Sequence, residues 1–267
     1  MVQKDNKMIK SSYLILFVSI ICLSVFIYKI INPSEKVFLS DYEKDLLNYF
    51  KEVTLNSEFG ESPRSIIKWN KKMLLYISRD NEYEKQVKRI NEVIKEINLL
   101  TAKSGFEINI TKDKSKCNSI IYLGQRDKVE KENPDFFEGV DKEFTGLVDI
   151  EFDLNDYFIT KSIIFIDVNQ PINIQLSTIL EELSQSIGIP AGSEIYPNSI
   201  FYENQVIEGR LNQNLSQIDK DVIKLLYHPK MRAGLNNFHI TNVYKRILKS
   251  EGSSYFGGNN DFVEIKS

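Results

Sequence analysis

Residues 180–191 read LEELSQSIGIPA, and the organisation of the chain can be followed outward from them. On a helix, side chains four apart share a face, so Glu181 and Gln185 stand together while Ile179, Leu183, Ser186 and Ile187 line the other side. Glu182 is rotated by one residue and lies near the same polar edge. The apolar spacing carries this helix back to Ile174, and Gly188 and Pro190 end it. A helical face of Glu, Glu and Gln is most often simply solvated, so the pattern alone assigns it no chemistry.

Before this helix, Phe144–Phe152 and Ile159–Val168 read as two strands joined by a polar turn at Asn155 and Asp156. Further upstream, Ser119–Leu123 is a short apolar strand, and Phe106, Ile108 and Ile110 alternate as in another. A helix is expected over 82–101, capped by Asp80 or Asn81, with Tyr83, Val87, Ile90, Ile94 and Ile97 in one stripe. Ser65–Trp69 and Met73–Ile77 are strand-like runs hinged at Asn70. Ser40 and Glu43 form a capping-box pattern ahead of a helix over 41–55. Arg126–Gly139 is charged, contains Pro134 and is expected to run over the surface. Beyond the central helix, Ser216 opens a last helix that His228-Pro229 closes. The expectation is one α+β domain over 37–235 with a small mixed sheet, followed by a tail over 236–267 that includes GSSYFGG at 252–258.

Composition narrows the function classes. The chain has 267 residues, 42% apolar and 27% charged, which is ordinary for a globular protein and excludes disorder or collagen-like repeats. A net charge of -3 carries no basic footprint, so no nucleic-acid partner is expected. With two Cys and two His in all, and Cys22 inside an apolar run, the remainder can form neither an internal disulfide nor a zinc site of four thiolates or of two thiolates and two imidazoles. Cys117 lacks a matched His. His228 reads as a helix C-terminal residue favourable to the dipole, and His239 as exposed.

Ser11–Tyr28 holds no charge over 18 residues, which is about 27 Å of helix and close to a bilayer's hydrocarbon thickness. No small-residue cleavage site follows, and Ile21 stands where a lipoprotein signal requires a small residue before Cys22. The expectation is an uncleaved signal anchor over 11–31, with 1–10 cytoplasmic and the acidic remainder, net -6 over 37–267, on the extracytoplasmic side of the cell membrane.

The segment 180–191 resembles a degenerate form of the H-E-x-x-H-x-x-G-x-x-H motif of metzincin zinc peptidases. Aligned to it, Glu181 takes the first His, Glu182 the base, Gln185 the second His, Gly188 the Gly and Ala191 the third His. Asn198–Phe201 falls where such enzymes carry their Met-turn, and Leu215–Tyr227 resembles their closing helix. The whole run is similar still more closely to a family of uncharacterised bacterial exported proteins with E-x-x-Q-x-x-G, S-I-F and L-Y-x-P-x-x-x-x-G. Glu182, Gln185, Gly188, Ser199, Ile200, Phe201, Leu226, Tyr227, Pro229 and Gly234 match it, while Ala191 stands in place of that family's Asn. The resemblance implies a zincin-like (metzincin-like) fold that has lost its zinc ligands. With the anchor read over 11–31, the expectation is a single-pass membrane protein that is a pseudo-enzyme and acts as a binding module for a protein, peptide or cell-envelope partner. Glu181, Gln185, Tyr196 and Ser199 are then the binding residues, with no metal and no cofactor. The alternative is a peptidase-like hydrolase in which Glu182 is catalytic at an atypical metal site.

Overall fold

The computed structural model describes residues 17–19, 21, 23–24, 38–58, 63–140, 144–205, 207–209 and 211–257. The chain divides into two units, Met1–Phe38 and Leu39–Ser267. In the first, Phe17–Ser19, Ile21, Leu23 and Ser24 are helical, and the rest of the expected 11–31 span lies outside the described residues. Among the described residues no helix is long and apolar enough to cross a membrane.

The second unit is built on a five-stranded mixed sheet in the order β2-β1-β3-β5-β4, with β1 Met73–Arg79, β2 Ile108–Thr111, β3 Ser119–Gly124, β4 Gly146–Phe152 and β5 Ile159–Asp167. β1, β2, β3 and β5 are mutually parallel, and β4 runs antiparallel along β5 at one edge. The central strands are rich in Ile because both faces are covered. Tyr122, Leu147, Ile163 and Phe165 point to one face and Ile121, Leu123, Ile164 and Ile166 to the other.

The helices are α1 Asp41–Leu55, α2 Glu84–Thr101, α3 Arg126–Glu132, α4 Ile172–Gln185, α5 Gln217–Leu226 and α6 Asn237–Glu251. α1 and α5 both start on capping boxes, at Ser40 with Glu43 and at Ser216 with Asp219. α4 crosses β4 and β5 and packs on α2, which also packs on α5. Asp221 on α5, fully buried, accepts from Tyr42 Oη of α1 at 2.6 Å and from the Gly257 backbone N–H at 2.8 Å.

Four expectations are corrected. α2 begins after Tyr83 in the left-handed region (φ 44°), because the Asp80 carboxylate is taken by Tyr83 Oη and Lys128. Ser65–Trp69 joins no strand; it forms only single bridges from Ser65 to Asn236 and from Lys68 to Phe158, wedged between loops. Arg126–Gly139 is not a surface excursion. α3 and a 3-10 turn over Pro134–Phe137 turn their charges outward and bury Val129, Phe136 and Phe137 against Phe165 and Leu147. The expected tail instead forms α6, capped by the Asn236 side chain and burying Ile240, Tyr244, Ile247 and Leu248, after which Phe256 folds back into the core. Helical spacing at 240, 244, 247 and 248 is diluted by exposed Phe238 and by Lys and Arg, which hid it.

Candidate binding site at the end of the cross-sheet helix

α4 begins at Pro171, whose restricted backbone suits a helix start, and Ile179, Leu180 and Leu183 anchor it with no exposed surface. The polar edge expected to face solvent is largely buried. Glu182 is 8% exposed and Gln185 1%, while Glu181 is half-buried. Two glycines permit this. At Gly146, on β4, an added Cβ would lie 2.9 Å from Glu182 Oε1, so the edge strand closes directly over that carboxyl. At Gly192 a Cβ would lie 2.5 Å from Glu203 Cγ and 2.8 Å from Glu58 Oε1.

Glu58, Glu181, Glu182 and Glu203 thus form a carboxyl cluster on α4 and the loops beside it. Gln185 Nε2 donates to Glu58 Oε1 at 3.3 Å, and Gln205 Nε2 donates to Glu181 Oε2 at 3.4 Å and to the Ile200 carbonyl at 2.5 Å. Burial, then the charges of Glu58, Asp219 and Glu203, hold the Glu181 carboxyl well above the usual range. Burial, then Glu181 and Glu58, do the same to Glu182. Glu58 is exposed as a residue but its carboxyl turns inward, and burial with the Glu203 charge pushes it up to about 7. Among the described residues none of the four carboxylates forms an ion pair, and the Glu182 carboxyl has no hydrogen-bond partner. A cluster of this kind retains protons at neutral pH that isolated carboxylates lose.

Ser199 belongs to a separate knot. Its Oγ is 2.6 Å from Tyr49 Oη, donates to Asp219 Oδ1 at 2.6 Å and accepts from the Phe201 N–H at 3.0 Å. Asp219 Oδ2 takes the Ile200 N–H and both donors of Ser216. Ser199 has no exposed surface, so it shapes the turn rather than meeting a ligand. Tyr196 is half-buried and edge-on to Tyr49 at 4.8 Å between ring centroids. The knot reaches the carboxyl cluster through Gln205, not through Gln185. Of the expected site residues, Glu181, Glu182 and Gln185 come together; Tyr196 and Ser199 lie in the adjoining turn.

Glu58, Glu203 and Gln205 had no signal in the sequence, since all three sit in irregular segments where no period places a side chain. Among the described residues no group of three His, Cys, Asp or Glu is placed to hold an ion. Cys117 is half-buried and its thiol is pushed up by burial, so it is no activated nucleophile. His228 is buried at the end of α5, where Nδ1 accepts from the Lys230 N–H and Nε2 faces Glu251 at 3.6 Å.

The fold and this site define a class: an α+β domain with a mixed five-stranded sheet and a cross-sheet helix ending in a buried carboxyl cluster. The chain belongs to the family described as protein of unknown function (DUF2927), whose model matches residues 43–246, from α1 into α6. No curated protein matches the sequence.

Proposed function

We propose that this is a membrane-anchored extracytoplasmic binding module with a zincin-like frame that has lost its metal ligands, and that the carboxyl cluster at the end of α4 receives its partner. The single observation that carries the reading is Glu182, which is 8% exposed and whose carboxyl accepts no hydrogen bond among the described residues. A carboxyl so nearly covered and without a protein donor is open to a donor from a ligand. The frame supports the metzincin likeness: a mixed sheet with an edge strand beside the helix, then a turn locked by Ser199, then the closing helix α5. Where that motif carries His, this chain has Glu181, Gln185 and Ala191, and Ala191 has no donor at all. The partner is a protein, peptide or cell-envelope ligand that presents a basic or hydrogen-bond-donating group. The uncharged run 11–28 supports the anchor.

The raised Glu182 carboxyl favours a second reading, a peptidase-like hydrolase using Glu182 with an atypical metal site. Elemental mass spectrometry of the purified full chain, with thermal melts before and after chelator, separates the two. Substoichiometric metal and an unchanged melt are expected. Near-stoichiometric metal, with a melting temperature that falls on chelation, would sink the binding-module reading.

A further inference from the structure

At the N-terminal ends of the parallel strands the structure holds a cavity, of about 490 Å³, formed by the segments that lead into β1, β2 and β5 and by the chain after α5. Four cations line it, Lys68, Lys71, Lys103 and Arg232, and no Asp or Glu does. The chain as a whole is net -3, so this lining is locally of opposite sign. One wall is closed by Tyr227 stacked on Phe106, with ring centroids 4.4 Å apart and planes inclined by 21°, both rings being nearly fully buried.

Lys68 is the group that gives the cavity a chemistry. Its ammonium donates to the carbonyls of Leu226 at 2.7 Å and Met231 at 2.8 Å, and lies 4.8 Å from the centre of the Tyr227 ring. An ammonium has three N–H donors, so one is left over. Burial alone pulls the amine down to about 8, with no nearby carboxylate acting to restore it. A half-buried cation held by carbonyls and a ring face, but by no counter-ion, is an incomplete arrangement. Lys103 is already engaged by Glu251 at 3.1 Å, which leaves Lys71 and Arg232 at the exposed rim.

We propose that this cavity binds a small organic anion, a carboxylate or phosphate carried on a small body, with its oxyanion accepting the remaining N–H of Lys68 and its body against the small part of Tyr227 and Phe106 that reaches the cavity. Arg232 at the mouth steers and pairs with the same charge. The volume lies within the range of small-molecule sites, about 300–1,000 Å³.

The test uses a built-in reporter. Trp69 is the only tryptophan in the chain and lines the cavity, so its emission reports binding there. The full-length protein is titrated with benzoate, with inorganic phosphate and with neutral benzamide. Saturation by benzoate is expected, with benzamide at least about tenfold weaker, a Lys68→Met variant losing about tenfold and an Arg232→Ala variant about threefold. Saturation by phosphate as well assigns the affinity to the charge, and its absence assigns a share to the rings; both keep the site. Equal responses to benzoate and benzamide, or saturation by neither anion up to about 10 mM, would overturn it. If Lys68→Met does not fold, side-chain NMR of the wild-type lysines decides. The Lys68 titration near pH 8 should move upward when benzoate is present, and an unmoved titration refutes the contact. A lysine that merely staples the end of α5 would cost stability when replaced without shifting that titration.

Discussion

Replacing Gly188 by Ala tests how α4 is joined to the rest of the domain. Gly188 has φ +113°, and a Cβ there would lie 2.2 Å from the Ile67 carbonyl oxygen and 3.1 Å from its carbon. The first effect is the left-handed backbone, worth about 1–2 kcal/mol for a residue with a side chain. The second is the collision, which no rotamer change relieves because its partner is backbone. Ile67 must move, and its neighbours are tied: the Ile66 N–H donates to Leu235 O at 2.9 Å, the Gly234 N–H donates to Ile66 O at 2.8 Å, and the Ile159 N–H donates to Lys68 O at 2.9 Å. Straining or breaking two such bonds costs about 2 kcal/mol. A total loss of about 3–4 kcal/mol is expected, lowering the urea midpoint by about 1–2 M. Gly105→Ala is the control, since Gly105 has φ +75° with nothing within 4 Å of an added Cβ among the described residues. It should lose only about 1–2 kcal/mol, the backbone part. Equal losses in the two variants would refute the close approach of α4 to Ile67.

Two buried serines should respond in opposite ways. Ser199→Ala orphans Tyr49 Oη, the Phe201 N–H and one Asp219 oxygen, and should cost about 3 kcal/mol, or about 6–12 °C in a thermal melt. Ser184 has no exposed surface and an unpartnered hydroxyl among the described residues, so Ser184→Ala should be neutral or stabilise by about 1 kcal/mol; a loss like that of Ser199→Ala would contradict this. Glu58→Gln should change how stability depends on pH. The Glu58 carboxyl is raised in the folded state, so its contribution is complete below the ordinary 4.5 and is lost as pH rises through about 7. That interval corresponds to at most about 3.4 kcal/mol, and because the residue is exposed, screening reduces the expectation to about 1 kcal/mol. Urea midpoints should therefore show Glu58→Gln gaining about 1 kcal/mol at pH 8 and nothing at pH 4; a pH-independent gain would rule this linkage out.

What was legible in the sequence is what local physics dictates. The capping box at Ser40, the starts of α1 and α5, the apolar runs of β3 and β5, and the stop at Gly188 follow from side chains acting on their own backbone. Of the site, the part on one helix was visible, because the spacing of Glu181, Glu182 and Gln185 is fixed by the helical turn. Glu58 and Glu203 were not, because they reach the cluster only once the backbone at Gly192 has brought two loops together. The solvation of the polar edge was misread for a related reason: its burial depends on β4, and on Gly146 in particular, which no pattern within 172–185 records. α3 escaped notice because its one buried residue, Val129, is surrounded by charge, and the aromatics that complete its contact, Phe136 and Phe137, follow a Pro.

The junction at Asp221 bears on the order in which the molecule can assemble. One carboxylate, deep in the domain, is bonded to Tyr42 in its first helix and to Gly257 beyond its last. The sheet between them can pair as its strands are made, β4 waiting only for β5, but α1 completes its packing only once α5 and α6, which pack on it, exist. During synthesis the apolar face of α1, with Leu46, Tyr49, Phe50 and Val53, is therefore the earliest made and among the last covered. A chain that lost its final twenty described residues would keep every strand and α5 but lose the cover that α6 gives to α1, a state prone to association rather than to a smaller folded form.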